Sequence, residues 1–242
     1  MTDPGDLEDR LAALEADNAR LRRLLDAAGA PDSLRHGLRN TMAMMRTIMH
    51  RSAEKARDVE DYVAHLDGRF GAVMRVQAAT GVVGEADLHS LISDELMFHL
   101  VREGEQATIA GPRVRLRPNA ALVLALALHE LTSNAVEHGS LALPQGRVDV
   151  RWAVQSSGEA GTMLQLQWKE RGGVALGDPS RRGFGTEVLS ETLPYEFEAR
   201  TALDFEADGL HFRMRLPLVQ TIGCVVADDA ADVAPVAEIA EA

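Results

Sequence analysis

The sequence holds a single cysteine, Cys224, in 242 residues. That excludes an intrachain disulfide framework and any metal site built on several thiolates, and it fits a reducing compartment. Lysine is nearly missing, at positions 55 and 169 only, so positive charge rests almost wholly on arginine. Acid outweighs base, 37 Asp and Glu against 25 Lys and Arg, for a formal charge of −12. A nucleic-acid backbone or an anionic membrane surface repels such a chain, and no basic patch dominates it, which argues against both as partners. Long apolar runs are lacking too: Ala120 to Leu128 is the longest, well short of the ~20 residues that span a bilayer. Met1 to Arg10 is acidic and polar, without the basic start and apolar stretch of a signal peptide, so the expected location is the cytoplasm.

What is present suits globular folding: 46% of residues are hydrophobic, and the length leaves room for two modest domains, each with its own core. From Leu7 to Leu25, leucines at 7, 14 and 21 share one heptad position, and Leu11, Asn18 and Leu25 share the other. This predicts a short coiled coil in which Asn18, as a polar a-position residue, selects a parallel two-stranded register. A single amphipathic helix packed on its own domain is the alternative. Gly29 and Pro31 end the segment.

A second helix is predicted from Asp32 or Ser33 to about Ser52, with Leu34, Leu38, Met42, Met45, Ile48 and Met49 on its apolar face. A third carries Val59, Val63, Leu66, Phe70, Val73 and Val76 on one side. One hairpin cannot bury both stripes, whereas pairing with a second copy makes a four-helix bundle. From Gly81 onward the texture changes to a mixed α+β pattern. Helices are predicted over Leu88 to Leu100 and Pro118 to His138. Strands are predicted over Gln106 to Ile109, Arg113 to Leu116, Val148 to Val154, Met163 to Lys169, Tyr195 to Phe205 and Leu210 to Leu218. An acidic Ala/Asp/Val tail follows.

At about 100° per residue, His36 falls opposite Leu38 and Met45, on a polar stripe with Asn40 and Thr47. An exposed imidazole there is either a nucleophile or only a solvated side chain. On the Pro118 to His138 helix, Glu130 and Asn134 sit four apart, on one face of an otherwise apolar element. A carboxylate and an amide so placed can orient water, accept a proton and hold Mg²⁺ through oxygen, or they can form a plain polar stripe. Glu170, Gly172 and Gly173 end a predicted strand, and Gly183, Gly185 and Thr186 lie where a helix opens. A strand-end carboxylate can accept a base amino group, and glycines at a helix start let backbone N–H groups approach phosphate.

In this order the motifs resemble those of the HWE branch of bacterial sensor histidine kinases, named for a His in one box and a Trp-x-Glu in the next. His129 with Glu130 and Asn134 matches the first box, and Trp168 with Glu170 the second. His36-Gly-Leu-Arg-Asn40 resembles the phosphoacceptor box, with Gly37 and Arg39 in place of the usual Arg and Lys, and Gly183-Phe-Gly185 resembles the second glycine box. The resemblance covers about Leu34 to Leu218.

It implies an α+β chain. A coiled coil over 1–29 precedes a dimerisation and phosphotransfer hairpin over 30–80, a GHKL-type α/β sandwich binding ATP over 81–218, and the acidic tail over 219–242. His36 is then the phosphorylated residue and Asn134 an Mg²⁺ ligand. Glu170 contacts the adenine amino group, and Gly172, Gly173, Gly183, Gly185 and Thr186 shape the nucleotide loop. Glu130 is a candidate for activating or positioning groups. The implied partners are a second copy of the chain, the receiver domain of a response regulator and a separate sensor or input protein. Three other readings stay open: a histidine phosphotransferase without ATP use, a GHKL-type ATPase or serine kinase, and a coiled-coil adaptor.

Overall fold

The computed structural model describes residues 32–55, 58–80, 84–157, 161–173 and 184–226, with single helical positions at 16, 19, 20, 23 and 24. The other coiled-coil positions, Gly183, the segment after Gly173 and the tail beyond Val226 lie outside the described residues. The chain divides into two compact units, residues 1–50 and 51–242.

Helix α1 runs over Asp32–Lys55 and helix α2 over Val59–Thr80, as the apolar spacing predicts. Of the face read on α1, Ile48 is buried, Met42 and Met45 are half-buried and Met49 is exposed. On α2 the buried set is narrower than the sequence stripe. Val59 and Val63 are exposed, while Arg69, Ala72, Val73, Val76 and Thr80 are buried, in the half that packs along the later helix over Pro118–Glu137.

The second unit is a mixed sheet covered by helices. After β1 (Ala86–Asp87) comes helix α3 (Leu88–Phe98), capped at its start by the Asp87 carboxylate accepting from the Ser90 N–H. Strands β2 (Ala107–Ala110) and β3 (Val114–Leu116) lead into α4 (Pro118–Glu137). Two long strands, β4 (Arg147–Ser157) and β5 (Gly161–Arg171), pair antiparallel. A helical passage follows: α5 (Phe184–Glu187), a π-helical turn (Val188–Thr192) and α6 (Leu193–Phe197). Strands β6 (Arg200–Glu206), β7 (Gly209–Pro217) and β8 (Gly223–Val225) complete the unit.

The main sheet has the order β2-β4-β5-β7-β6, with β2 parallel to β4 and every other pair antiparallel. A small sheet, β1-β3-β8, stands apart. Strand alternation puts every second residue on one face, and the register aligns those faces. Val150 opposes Trp168, which opposes Phe212; Trp152 opposes Leu166, which opposes Met214. All six are buried, and α4, buried continuously from Ala120 to Thr132, supplies the other half of the core.

Two expectations are corrected. The strand predicted from Tyr195 begins only at Arg200, because Leu193–Phe197 is helical: Pro194 suits a first turn, and Leu193 and Phe197, one turn apart, are both buried while Tyr195 is exposed. The stretch after Leu218, read as tail from its start, instead forms β8 and pairs antiparallel with β3.

Candidate nucleotide site

Helix α4 positions the central pair. Pro118 occupies its first turn, an unbroken run of Ala and Leu carries it through the core, and the Gly139 N–H bonds the Asn134 carbonyl at its end. Glu130 and Asn134 follow one another by a turn, so they share a face as their spacing requires. Glu130 is buried and Asn134 exposed, so this face passes from core to surface between them. A plain solvated stripe accounts for Asn134 alone.

Gly185, on α5, closes against this pair. A Cβ there would stand 2.9 Å from both Glu130 Cβ and Oε2, and 3.3 Å from Asn134 Nδ2. Any larger residue would push the helical passage off α4, which is a physical reason for glycine independent of any loop function. Thr186 beside it is half-buried, and its carbonyl accepts from the Ser190 hydroxyl.

The end of β5 approaches the same region from the sheet. Glu170 is only 1% exposed, and its Oε2 accepts from the Ser140 N–H at 2.9 Å, just past the C-terminus of α4. Burial pushes the Glu170 carboxyl above the ordinary carboxylate range, and hydrogen bonds from Ser140 and the Leu210 backbone offset this in part. The Trp168 indole N–H makes no hydrogen bond of normal geometry among the described residues. Gly172 and Gly173 follow, with the Gly173 N–H donating to the Asp208 carbonyl at 3.0 Å. A Cβ on Gly173 would stand 3.1 Å from the Ser140 Cα, so the β5 end and the turn after α4 form one wall.

Glu130, Asn134 and Gly185 thus gather at α5, while Glu170 and Gly173 gather at Ser140 with Gly172 against Gln145, and α4 links the two groups. Gly183 lies outside the described residues. His36 is on α1 as predicted, but its side chain also lies outside them.

Sequence reasoning left His129 without a role. It is 5% exposed, and its Nδ1 lies 2.8 Å from Glu95 Oε1 on α3. Arg75, on α2, donates to the other oxygen of Glu95, and His99 Nε2 lies 3.5 Å from Oε1. Burial alone raises the Glu95 carboxyl. The hydrogen bond from His129, the nearby His99 ring, the His129 charge and the bond from Arg75 together outweigh it and hold the group at about 2. Glu95, His99 and His129 bring three ligand-type atoms within 4.8 Å. Because both Glu95 oxygens are already engaged by His129 and Arg75, the cluster reads as a buried charge network that ties α2, α3 and α4 together.

A second arginine of α2 was equally invisible. Arg69 Nε donates to Glu130 Oε1 at 2.7 Å, and its Nη2 to Oε2 at 3.2 Å. Nη1 donates to the Ser52 hydroxyl at 2.6 Å, and the guanidinium lies 4.1 Å above the centre of the Phe184 ring. Sixty-one residues separate Arg69 from Glu130. In sequence, Arg69 is one charge beside the apolar Phe70, and no local spacing marks its partner.

Residues 33–113 match the profile of the HWE histidine kinase family. Over 195 residues the chain is 31% identical to blue-light-activated histidine kinase 1 of Erythrobacter litoralis, covering 77% of this chain and 52% of that protein. Over 192 residues it is 26% identical to a blue-light-activated histidine kinase of Brucella ovis, covering 77% and 38%. The fold is similar to a solved histidine kinase domain of the Erythrobacter litoralis blue-light-activated kinase, with a TM-score of 0.50 at 13% identity over 74% of this chain and 96% of that one. Residues 33–113 thus carry the mark of the HWE histidine kinase family, and the chain spans about half or less of the length of these two relatives.

Proposed function

We propose that the chain is an ATP-dependent histidine autokinase. It phosphorylates His36 and passes the phosphoryl group to an aspartate on the receiver domain of a response regulator. The observation that carries this reading is the convergence on α4 of Glu130, Asn134 and Gly185 at one place, and of Glu170, Gly172 and Gly173 at the next. A buried carboxylate at the end of a sheet strand suits the amino group of a purine, and glycine, having no Cβ, lets phosphate approach the backbone closely.

The residues present also fit a magnesium ion. The Asn134 amide oxygen is a hard ligand of the kind Mg²⁺ takes, and its exposure leaves room for the retained waters such an ion requires. When bound, Mg²⁺ neutralises charge on the phosphate chain. In the proposed reaction a nitrogen of the neutral His36 imidazole attacks the γ-phosphorus, the bond to the bridging oxygen breaks, and ADP leaves with the electron pair. The work of this chain is positioning: Glu170 fixes the base, the glycines the phosphates and Asn134 the metal. The apolar stripes of α1 and α2 and the heptads before Leu25 support a homodimer. Among the described residues no helix is long and apolar enough to cross a membrane, and this, with the reducing character of the composition, supports a cytoplasmic site of action.

Incubation with γ-labelled ATP tests the proposal. The wild-type chain is expected to take up label that is lost in acid and kept in base, and His36→Ala is expected to bind ATP without labelling. Label on hydroxyls would establish a serine kinase instead, and no nucleotide binding at all would leave only a phosphotransferase.

A further inference from the structure

The contact between Arg69 and Glu130 has a chemical meaning beyond packing. Glu130 is the buried carboxylate on the face of α4 that also carries Asn134, and it meets Gly185 directly. A carboxylate beside bound nucleotide is suited to take a proton from water. Water is the commonest competitor of any phosphoacceptor. Yet both oxygens of Glu130 are engaged by one guanidinium, at 2.7 and 3.2 Å, and the pair is buried, with side chains 8% and 9% exposed. Such a fork is planar and directional, and lysine does not reproduce it.

Arg69 is itself fixed on its remaining sides. Ser52 accepts from Nη1, and the Phe184 ring lies against the guanidinium face. Phe184 immediately precedes Gly185, so the clamp is anchored in the same segment that closes on Glu130 and Asn134. Helix packing alone does not require this pair; apolar residues at both positions would fill the interface without any buried charge.

We propose that Arg69 determines acceptor specificity, suppressing transfer to water by withholding Glu130 from service as a base. The inference rests on the nucleotide site proposed above. In the suppressed reaction a water oxygen forms the new bond to the γ-phosphorus and the bridging P–O bond breaks. ADP leaves with the electron pair, and the proton of water passes to Glu130 and then to solvent. With the fork in place the γ-phosphoryl group is kept for the imidazole.

The test uses the full chain, measuring affinity for a fluorescent ATP analogue, inorganic phosphate release and acid-labile phosphohistidine side by side. Arg69→Gln is expected to raise phosphate release about tenfold or more, the scale set by a recruited general base, while nucleotide affinity stays within about threefold, because Arg69 is not assigned to the nucleotide. Arg69→Lys, which cannot span both oxygens, should give a smaller rise. Phe184→Leu, which loosens the clamp without touching Glu130, should do the same. Adding Glu130→Gln to Arg69→Gln should return phosphate release to the wild-type level, which a merely structural role for Arg69 does not explain. If Arg69→Gln fails to fold, Arg69→Lys and Phe184→Leu carry the same comparison. Unchanged phosphate release in variants that bind the analogue overturns the inference and leaves the site intact. A wild type that does not bind the analogue overturns the nucleotide site, and the inference with it.

Discussion

Replacing Glu95 by glutamine measures how much of this fold's acid sensitivity resides in one buried carboxylate. The group is held at about 2 against an ordinary 4.5. At ~1.4 kcal/mol per pKa unit, the difference amounts to ~3 kcal/mol of linked stability. Because the folded-state value is depressed, this stability is present above pH 4.5 and is lost as pH falls toward 2. Urea denaturation of wild type and Glu95→Gln, read by circular dichroism from pH 7 down to pH 3, separates it from the background of other carboxylates. At pH 7 the variant is expected to be less stable by about 3 kcal/mol, since Arg75 loses its buried counter-charge and His129 its carboxylate partner. The gap should narrow by about 2 kcal/mol on reaching pH 3, as the wild-type carboxylate gives up its advantage. A gap that stays constant across this range would mean that the network does not hold Glu95 ionised, and the reasoning would fail.

Three further outcomes are expected. Gly68→Ala should lower the melting temperature despite better helix propensity, because a Cβ there would meet His129 Nε2 at 2.8 Å and the His129 ring is pinned by Glu95; an unchanged or raised value would show that the ring can give way. Asn134→Ala, at an exposed position, should leave the thermal unfolding curve in place while removing the Mg²⁺ dependence of binding to a non-hydrolysable ATP analogue in calorimetry; binding that still responds to Mg²⁺ would take Asn134 out of the site. Burial raises the Glu170 carboxyl, so the stability linked to it is present below the ordinary carboxylate value and is lost as pH climbs through the raised one. Glu170→Gln should therefore flatten the decline of wild-type stability between pH 4 and 8, and superimposable curves would refute the assignment.

The elements that periodicity could reach were legible. The apolar run closed by Gly139 marked α4, and alternation marked the paired long strands β4 and β5. The turn spacing of Glu130 and Asn134 placed both on one face without any knowledge of the fold. Long-range assembly was not legible. Tyr195 to Phe197 looked like the start of a strand because aromatic residues favour strands, and tertiary burial of Leu193 and Phe197 overrode that preference. The partners of Arg69 and Arg75 sit on other helices, and no spacing rule joins residues 61 or 20 positions apart. His129 carried a family resemblance in the sequence, yet its physical role emerged only when α3 brought Glu95 within 2.8 Å.

Strand β8 bears on where this polypeptide can be cut. It gives β3 its second neighbour through Val225, Cys224 and Gly223, and nearby the Arg117 N–H reaches the Ile222 carbonyl at the very start of α4. Trimming the protein at Leu218, where the sequence suggests the folded part ends, would strip those bonds from β3. It would uncover Leu116 and leave the root of α4 unsupported. A minimal autonomous fragment therefore has to retain residues through Val226, and loss of binding in a shorter one would report a damaged scaffold and not a missing ligand contact.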